Sequence, residues 1–408
     1  MKQYGLLVKE KNFLVFISAI SLIYLAQSIV DVAIIWLVYE KTQQPLFIAL
    51  SVFITQVPSL ISAPFLGGVM DKIAVSKAIS LASLVKAFVF IVLCLLSTHI
   101  NNLVLIVLAL LLILNSAVSP LISAGSIAIV KDLLDDEQFH TANALVNISF
   151  DVCYLLGAFL SGLIIAQFNH QLIFLCSALL FFLATLLLSL IPSQRHQKQE
   201  EDNGKKRPLL QALQYLTSIP KLLSLVCLTS LWNLLIWGAF PIVFPIFVKT
   251  ILQEGAATYG LINGVQSFGI IIGSLIVGGI PKHKNSFHLT FLFLMAHCVL
   301  IAIFSLQNNV LSSMILLIVA GVISSPVMIY KSTFFQETIP DQLKGRIFSI
   351  IGLLGTVTYP IGNFLTALLL NGISAENVGI LLFTYAIILL LLSVALFAVF
   401  YRKANHET

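Results

Sequence analysis

Pro192-Ser193-Gln194-Arg195-His196-Gln197-Lys198-Gln199-Glu200-Glu201-Asp202-Asn203-Gly204-Lys205-Lys206-Arg207-Pro208 is the one long polar interruption of this chain. It mixes charges of both signs and lacks any apolar run that could fold by itself, so it reads as a solvated linker. Extended to Lys221, it divides the sequence into an N-terminal half, 1–191, a linker, 192–221, and a C-terminal half, 222–408. Both halves are nearly continuous series of hydrophobic segments, and the two series resemble each other.

Composition excludes a soluble globular protein. Hydrophobic residues make up 59% of the 408 and charged residues 10%, against about 45–50% and about 25% in soluble domains. Crossing about 30 Å of hydrocarbon at 1.5 Å per residue takes about 20 apolar residues. Six such runs precede the linker, at 13–39, 46–69, 78–97, 103–130, 142–168 and 172–191, and six follow it, at 222–248, 257–280, 287–305, 310–335, 347–370 and 378–401. The expectation is an all-α membrane protein of 12 transmembrane helices in two six-helix bundles related by a pseudo-two-fold axis.

The first run is too long for the core of a cleavable signal peptide and ends in Trp36-Leu37-Val38-Tyr39, an aromatic pair suited to the membrane interface. The cysteines at 94, 153, 176, 227 and 298 all fall inside runs without metal-ligand spacing, which indicates neither a disulfide framework nor a zinc site. Lysines and arginines favour cytoplasmic loops. With the N-terminus inside, eighteen of the 22 fall on the cytoplasmic side, Lys41 and Lys249 outside, and Lys86 and Lys331 within spans. Both termini and the linker are therefore expected in the cytoplasm, and the net charge of +5 reflects orientation in the membrane rather than nucleic-acid binding.

Ordered echoes between the halves argue for two parallel repeats. Gly67 and Asp71 are matched by Gly278 and Lys282, Ser119-Pro120 by Ser325-Pro326, and Asp136, Tyr154 and Gly157 by Asp341, Tyr359 and Gly362. Repeats of this kind are typical of transporters with a central site between the halves.

The Gly67-x-x-x-Asp71-Lys72 loop, the long linker after the sixth run and the echo at Gly278 to Lys284 resemble the major facilitator superfamily over essentially the whole chain. The stretches Trp36-Leu37-Val38-Tyr39-Glu40-Lys41-Thr42 and Phe335-Gln336-Glu337-Thr338-Ile339-Pro340-Asp341-Gln342-Leu343-Lys344-Gly345-Arg346-Ile347-Phe348-Ser349 resemble its bacterial branch of macrolide-efflux proteins and enterobactin exporters. The resemblance implies a gating loop of Gly67, Asp71, Lys72 and Lys77. In that loop the glycine should let helices approach closely, and the charges should cap or bridge neighbouring helix ends. The family pattern has a glycine near position 74 and a run of arginines, where this chain has Ala74 and the single Lys77.

Two acids lie at membrane depth, Asp31 in the first run and Asp151 in the fifth. An ionisable residue there costs about 2.5–3.5 kcal/mol on insertion scales and is a functional candidate by default. Either could exchange protons or attract a cation, with Lys86 as the obvious partner; either could equally do no more than balance that lysine. Residues that could contact a substrate include Gln27, Gln56, Asn147, Tyr154, Trp232, Asn233, Gln266, Tyr330 and Tyr359. Trp232 and Trp237, five apart on an α-helix, are expected to point in different directions.

No phosphate-binding Gly-x-x-x-x-Gly-Lys-Ser/Thr loop occurs, nor a cysteine–histidine or serine–histidine cluster on a water-accessible loop, so no enzyme, cofactor or metal is indicated. Energy would come from an ion gradient. The expectation is a monomeric, proton-coupled antiporter of the bacterial inner membrane that exports amphipathic small molecules by alternating access, with membrane lipid, protons and the substrate as its partners. Siderophore export is the alternative within the same class; an uptake symporter and a non-transporting receptor or assembly factor are the others.

Overall fold

The computed structural model describes residues 7, 10–70, 72–96, 102–134, 136–192, 209–278, 285–372 and 374–406. Among the described residues, twelve helices are long and apolar enough to cross a membrane: Lys11–Thr42, Pro45–Met70, Val75–Leu96, Ile106–Leu133, Thr141–Gln167, His170–Ser189, Pro220–Ile251, Ala256–Gly278, Ser286–Ser305, Val310–Thr338, Arg346–Asn371 and Ala375–Phe400. They match the twelve runs of the sequence and are numbered here as the first to twelfth spans. Among the described residues there is no strand. Helix is what an apolar chain in lipid requires, because it satisfies its backbone N–H and C=O groups internally. Large apolar side chains point outward from both series, among them Phe65 at 74%, Leu95 at 68% and Leu311 at 66% exposure.

The chain falls into two compact units, Met1–Leu37 with Ser51–Asp202, and Val38–Leu50 with Asn203–Thr408. In the first unit, Ile29 and Ala33 of the first span form a core with Ile173 of the sixth, flanked by Ile164 and Ile165 of the fifth. The third and sixth spans lie along each other, with Phe90 stacked on Phe181 at 5.6 Å. Gly157 brings the fifth span onto the first, since a Cβ there would lie 2.6 Å from that of Ser28.

In the second unit, the eighth and tenth spans meet backbone to backbone. A Cβ on Gly269 would stand 2.2 Å from Ile318 O, one on Gly273 2.4 Å from Val322 O, and one on Gly321 2.4 Å from Gln266 O. The Gly269-x-x-x-Gly273 spacing puts both glycines on one helix face, the membrane solution to close helix packing.

Two spans are irregular. The fourth consists of Asn102–Ala117 and Ser119–Leu133, broken at Val118 ahead of Pro120. The seventh is α-helical over Pro220–Trp232 and Phe240–Ile246, with π turns at Asn233–Trp237 and Phe247–Ile251. Pro241 and Pro245 have no N–H to give to the preceding turn, and the helix widens on either side of them. Its π bonds run from Gly238 N to Asn233 O at 2.7 Å and from Leu252 N to Phe247 O at 3.0 Å.

Of the linker, 193–208 lie outside the described residues. Leu209–Ser218 forms a helix, and its Tyr215 Oη donates to Thr338 O, at the end of the tenth span, at 2.9 Å. The apolar spacing of Leu209, Leu213 and Leu216 already encodes that helix, on the C-terminal side of the charged stretch.

Candidate functional site

The polar side chains of the first unit converge on Lys86. A lysine in the middle of the third span must find acceptors for its ammonium or bear an uncompensated charge in hydrocarbon. Lys86 is 2% exposed. Its Nζ donates to Gln27 Oε1 at 2.7 Å and to Ser119 Oγ at 2.9 Å. It also stands 5.6 Å from the centre of the Phe181 ring, a cation–π distance. Ser119 Oγ in turn donates to Asn115 O at 3.2 Å, and Gln27 Nε2 donates to Asp31 Oδ1 at 2.8 Å.

Residues of three spans thus form one chain, Ser119–Lys86–Gln27–Asp31, and Asp31, partly exposed, closes it. The sequence pointed to Lys86 as the partner of an acid; the structure makes Asp31 that acid and places Gln27 between them. Gln27 and Asp31, four apart on the first span, share a helix face. Tyr154 lies within electrostatic reach of Asp31, and its backbone oxygen accepts from Ser28 Oγ at 2.9 Å. Asp151 stands apart, half-buried, with no side-chain hydrogen bond among the described residues. Gln56 and Asn147 are exposed.

The second unit gathers aromatic rings where the first gathers charge. Trp232, 1% exposed, meets Trp237 with ring centroids 5.8 Å apart and His297 at 5.4 Å, both edge to face. The expectation that the two tryptophans point in different directions is thereby overturned. The π turn begins at residue 233, and in π geometry the fifth residue on comes round to nearly the same face. Asn233 Nδ2 donates to Gly355 O at 2.8 Å and so ties the seventh span to the eleventh. Tyr330 stacks on Phe293 at 5.9 Å; Gln266 is buried, and Tyr359 is half-buried.

In the loop after the second span, Asp71 lies outside the described residues. Lys72 and Lys77 are exposed, and the chain turns with Lys72 N donating to Val69 O at 3.0 Å. A Cβ on Gly67 would meet no described atom within 4 Å. Besides the glycines of the eighth and tenth spans, close contacts fall on Gly157 and Gly362, the pair 205 residues apart. Ser119 belongs to the repeated Ser-Pro pair of the sequence, but that pairing carries no sign of its bond to Lys86. Its counterpart Ser325 shares a hydrogen bond with Ser274 Oγ at 2.7 Å. Among the described residues, no group of three or more His, Cys, Asp or Glu side chains could hold a metal ion.

Comparison with known proteins places these features in context. The family model described as Major Facilitator Superfamily matches residues 16–363. The chain is 22% identical over 356 residues to the staphyloferrin A transporter of Staphylococcus aureus, covering 86% of this chain and 88% of that protein. It is 23% identical over 379 residues to YfmI of Bacillus subtilis, an uncharacterised transporter of the same family, covering 90% of each. Among solved structures, it is similar to the nucleoside transporter NupG, with a TM-score of 0.75 at 12% identity over 95% of this chain and 100% of that one. A bacterial homologue of the human lysosomal transporter Spinster gives a TM-score of 0.67 at 12% identity, over 95% of this chain and 96% of that one.

Proposed function

The chain belongs to the Major Facilitator Superfamily, and from that premise we propose that it is a secondary active transporter coupling proton movement at Asp31 to the export of amphipathic small molecules by alternating access. The observation that carries this reading is the hydrogen-bonded chain from Ser119 through Lys86 and Gln27 to Asp31. An acid and a base linked through an amide yet not paired directly, the acid partly exposed and the base buried, is an arrangement that supports proton exchange at Asp31. Asp151 is a second proton candidate in the same half. The halves 1–191 and 222–408, joined by the linker, are the bodies that alternate, and Gly67, Asp71, Lys72 and Lys77 form the gating loop. The distribution of lysine and arginine supports an orientation with both termini in the cytoplasm, and we read the protein as a monomer of the bacterial cytoplasmic membrane.

A siderophore is the second reading of the cargo. It is favoured by the staphyloferrin A transporter, which resembles this chain over most of both lengths. The test is transport by the full-length protein in vesicles under an imposed pH gradient, with staphyloferrin A and a lipophilic cationic dye offered separately. Dye movement that collapses with the gradient supports drug-type export, and movement of staphyloferrin A alone supports the siderophore reading. Movement that does not depend on the gradient removes proton coupling.

A further inference from the structure

In the chain from Lys86 to Asp31, the middle side chain has only one orientation open to it. An ammonium only donates and a carboxylate only accepts. Gln27 answers the first with Oε1 at 2.7 Å and the second with Nε2 at 2.8 Å. Glutamate would offer oxygen at both ends, and leucine would offer nothing to either. The amide is also fixed to the acid by the backbone, one helical turn before it on the first span.

The effect is to keep two opposite charges linked but apart. A carboxylate in contact with an ammonium is held in its ionised form, and the hold weakens with distance. Lys86 does not need that contact, because Gln27, Ser119 and the face of Phe181 already surround its ammonium. Resting on the coupling reading of Asp31, we propose that Gln27 is a positioning residue whose amide holds Asp31 off Lys86. The carboxylate can then load and release a proton while the ammonium stays fastened to Ser119.

Other groups face this chain from each packed element. The third span contributes Lys86, and the fifth contributes Tyr154, which interacts with Asp31. The fourth and sixth spans present Ser119 and Phe181, neither of which titrates. Tyr24, three residues before Gln27 on the first span, interacts with Ser126 of the fourth and with Cys153, which directly precedes Tyr154 on the fifth.

The test is infrared difference spectroscopy of the purified full-length protein between alkaline and acidic buffer, with protons as the only ligand. The carbonyl band of protonated Asp31 is identified by its loss in Asp31→Asn. If no band is lost, Asp31 does not carry the proton, and both the coupling reading and this proposal fall together. With the band in hand, Gln27→Glu combined with Asp31→Asn keeps one carboxylate, one amide and every hydrogen bond, but sets the carboxylate against Lys86. Protonating it is then expected to take about tenfold more protons, a midpoint about one pH unit lower. A midpoint within about twofold of wild type in proton concentration overturns the positioning role and leaves Asp31 as the carrier. If the exchanged protein does not fold, Gln27→Met, similar in volume but unable to bridge, replaces it. A shift of about tenfold in either direction then supports the role, and one within about twofold overturns it.

Discussion

Lys86 and His297 occupy the same place in their helices, eleven residues after Val75 and after Ser286, and their surroundings are opposite in kind. Lys86 is bonded to two side chains and linked onward to an acid. Neither ring nitrogen of His297 has a hydrogen-bond partner among the described residues, and the ring packs edge to face on Trp232. Replacing His297 by Phe keeps the ring and removes two enclosed polar atoms. It is expected to leave transport unchanged and to raise stability by about 1–2 kcal/mol, read as a higher melting temperature in detergent.

Lys86→Met is expected to do the reverse. It takes the ammonium away from Gln27 Oε1 and Ser119 Oγ and leaves Asp31 without its counter-charge, and should cost about 1–3 kcal/mol of stability. Adding Asp31→Asn removes the stranded charge and should bring the melting temperature back most of the way. Transport in vesicles then separates two roles for Asp31. Restored stability without gradient-driven transport marks it as the coupling acid, whereas full restoration of both marks it as no more than a balance for Lys86.

Gly362→Ala should be severe where Gly67→Ala is silent. The added methyl would lie 2.0 Å from Leu234 O, a backbone atom that cannot turn aside, so the seventh and eleventh spans must separate. A loss of about 1–3 kcal/mol is expected from such overpacking. At Gly67 nothing described lies within 4 Å, and alanine there gains about 0.5–1 kcal/mol of helix propensity. Paired melting curves of the two variants decide the matter.

Asp71→Asn is expected to lower transport by about tenfold or more, equal to about 1.4 kcal/mol of lost gate stabilisation, at unchanged expression. Wild-type rates at wild-type protein levels would strike Asp71 from the gate.

In the linker, deletion of Gln197 to Asn203 should leave activity intact, since that stretch has no apolar run to pack. Tyr215→Phe, by contrast, breaks the hydrogen bond to Thr338 O and should cost about 0.5–1.5 kcal/mol. Transport and thermal melting of the two variants, side by side, check both parts.

The twelve spans were legible because crossing lipid imposes a single pattern, a long apolar run. Lys86 and Asp31 stand out equally plainly, since each is the single charge in such a run. The link between them was not, because one lies on the first span and the other on the third, and no periodicity reports which faces meet. Gln27, read only as a possible substrate contact, is tied to Asp31 by their four-residue spacing. The tryptophan pair misled for a local reason: hydrophobicity does not distinguish π from α turns, although Pro241 and Pro245 hint at irregularity.

Those π turns make the seventh span tolerant of a change in length that its neighbours would refuse. Each holds one surplus residue relative to a regular helix, and removing one residue from an α-helix shortens it by 1.5 Å and swings everything beyond by about 100°. Elsewhere in a span, such a deletion would turn buried faces toward lipid. Within 233–237 or 247–251 it can be absorbed by tightening the wide turn to an α turn, leaving both flanks in phase. A scan of single-residue deletions along the span should therefore find its survivors in these two windows, and natural relatives that lack one residue should lack it there.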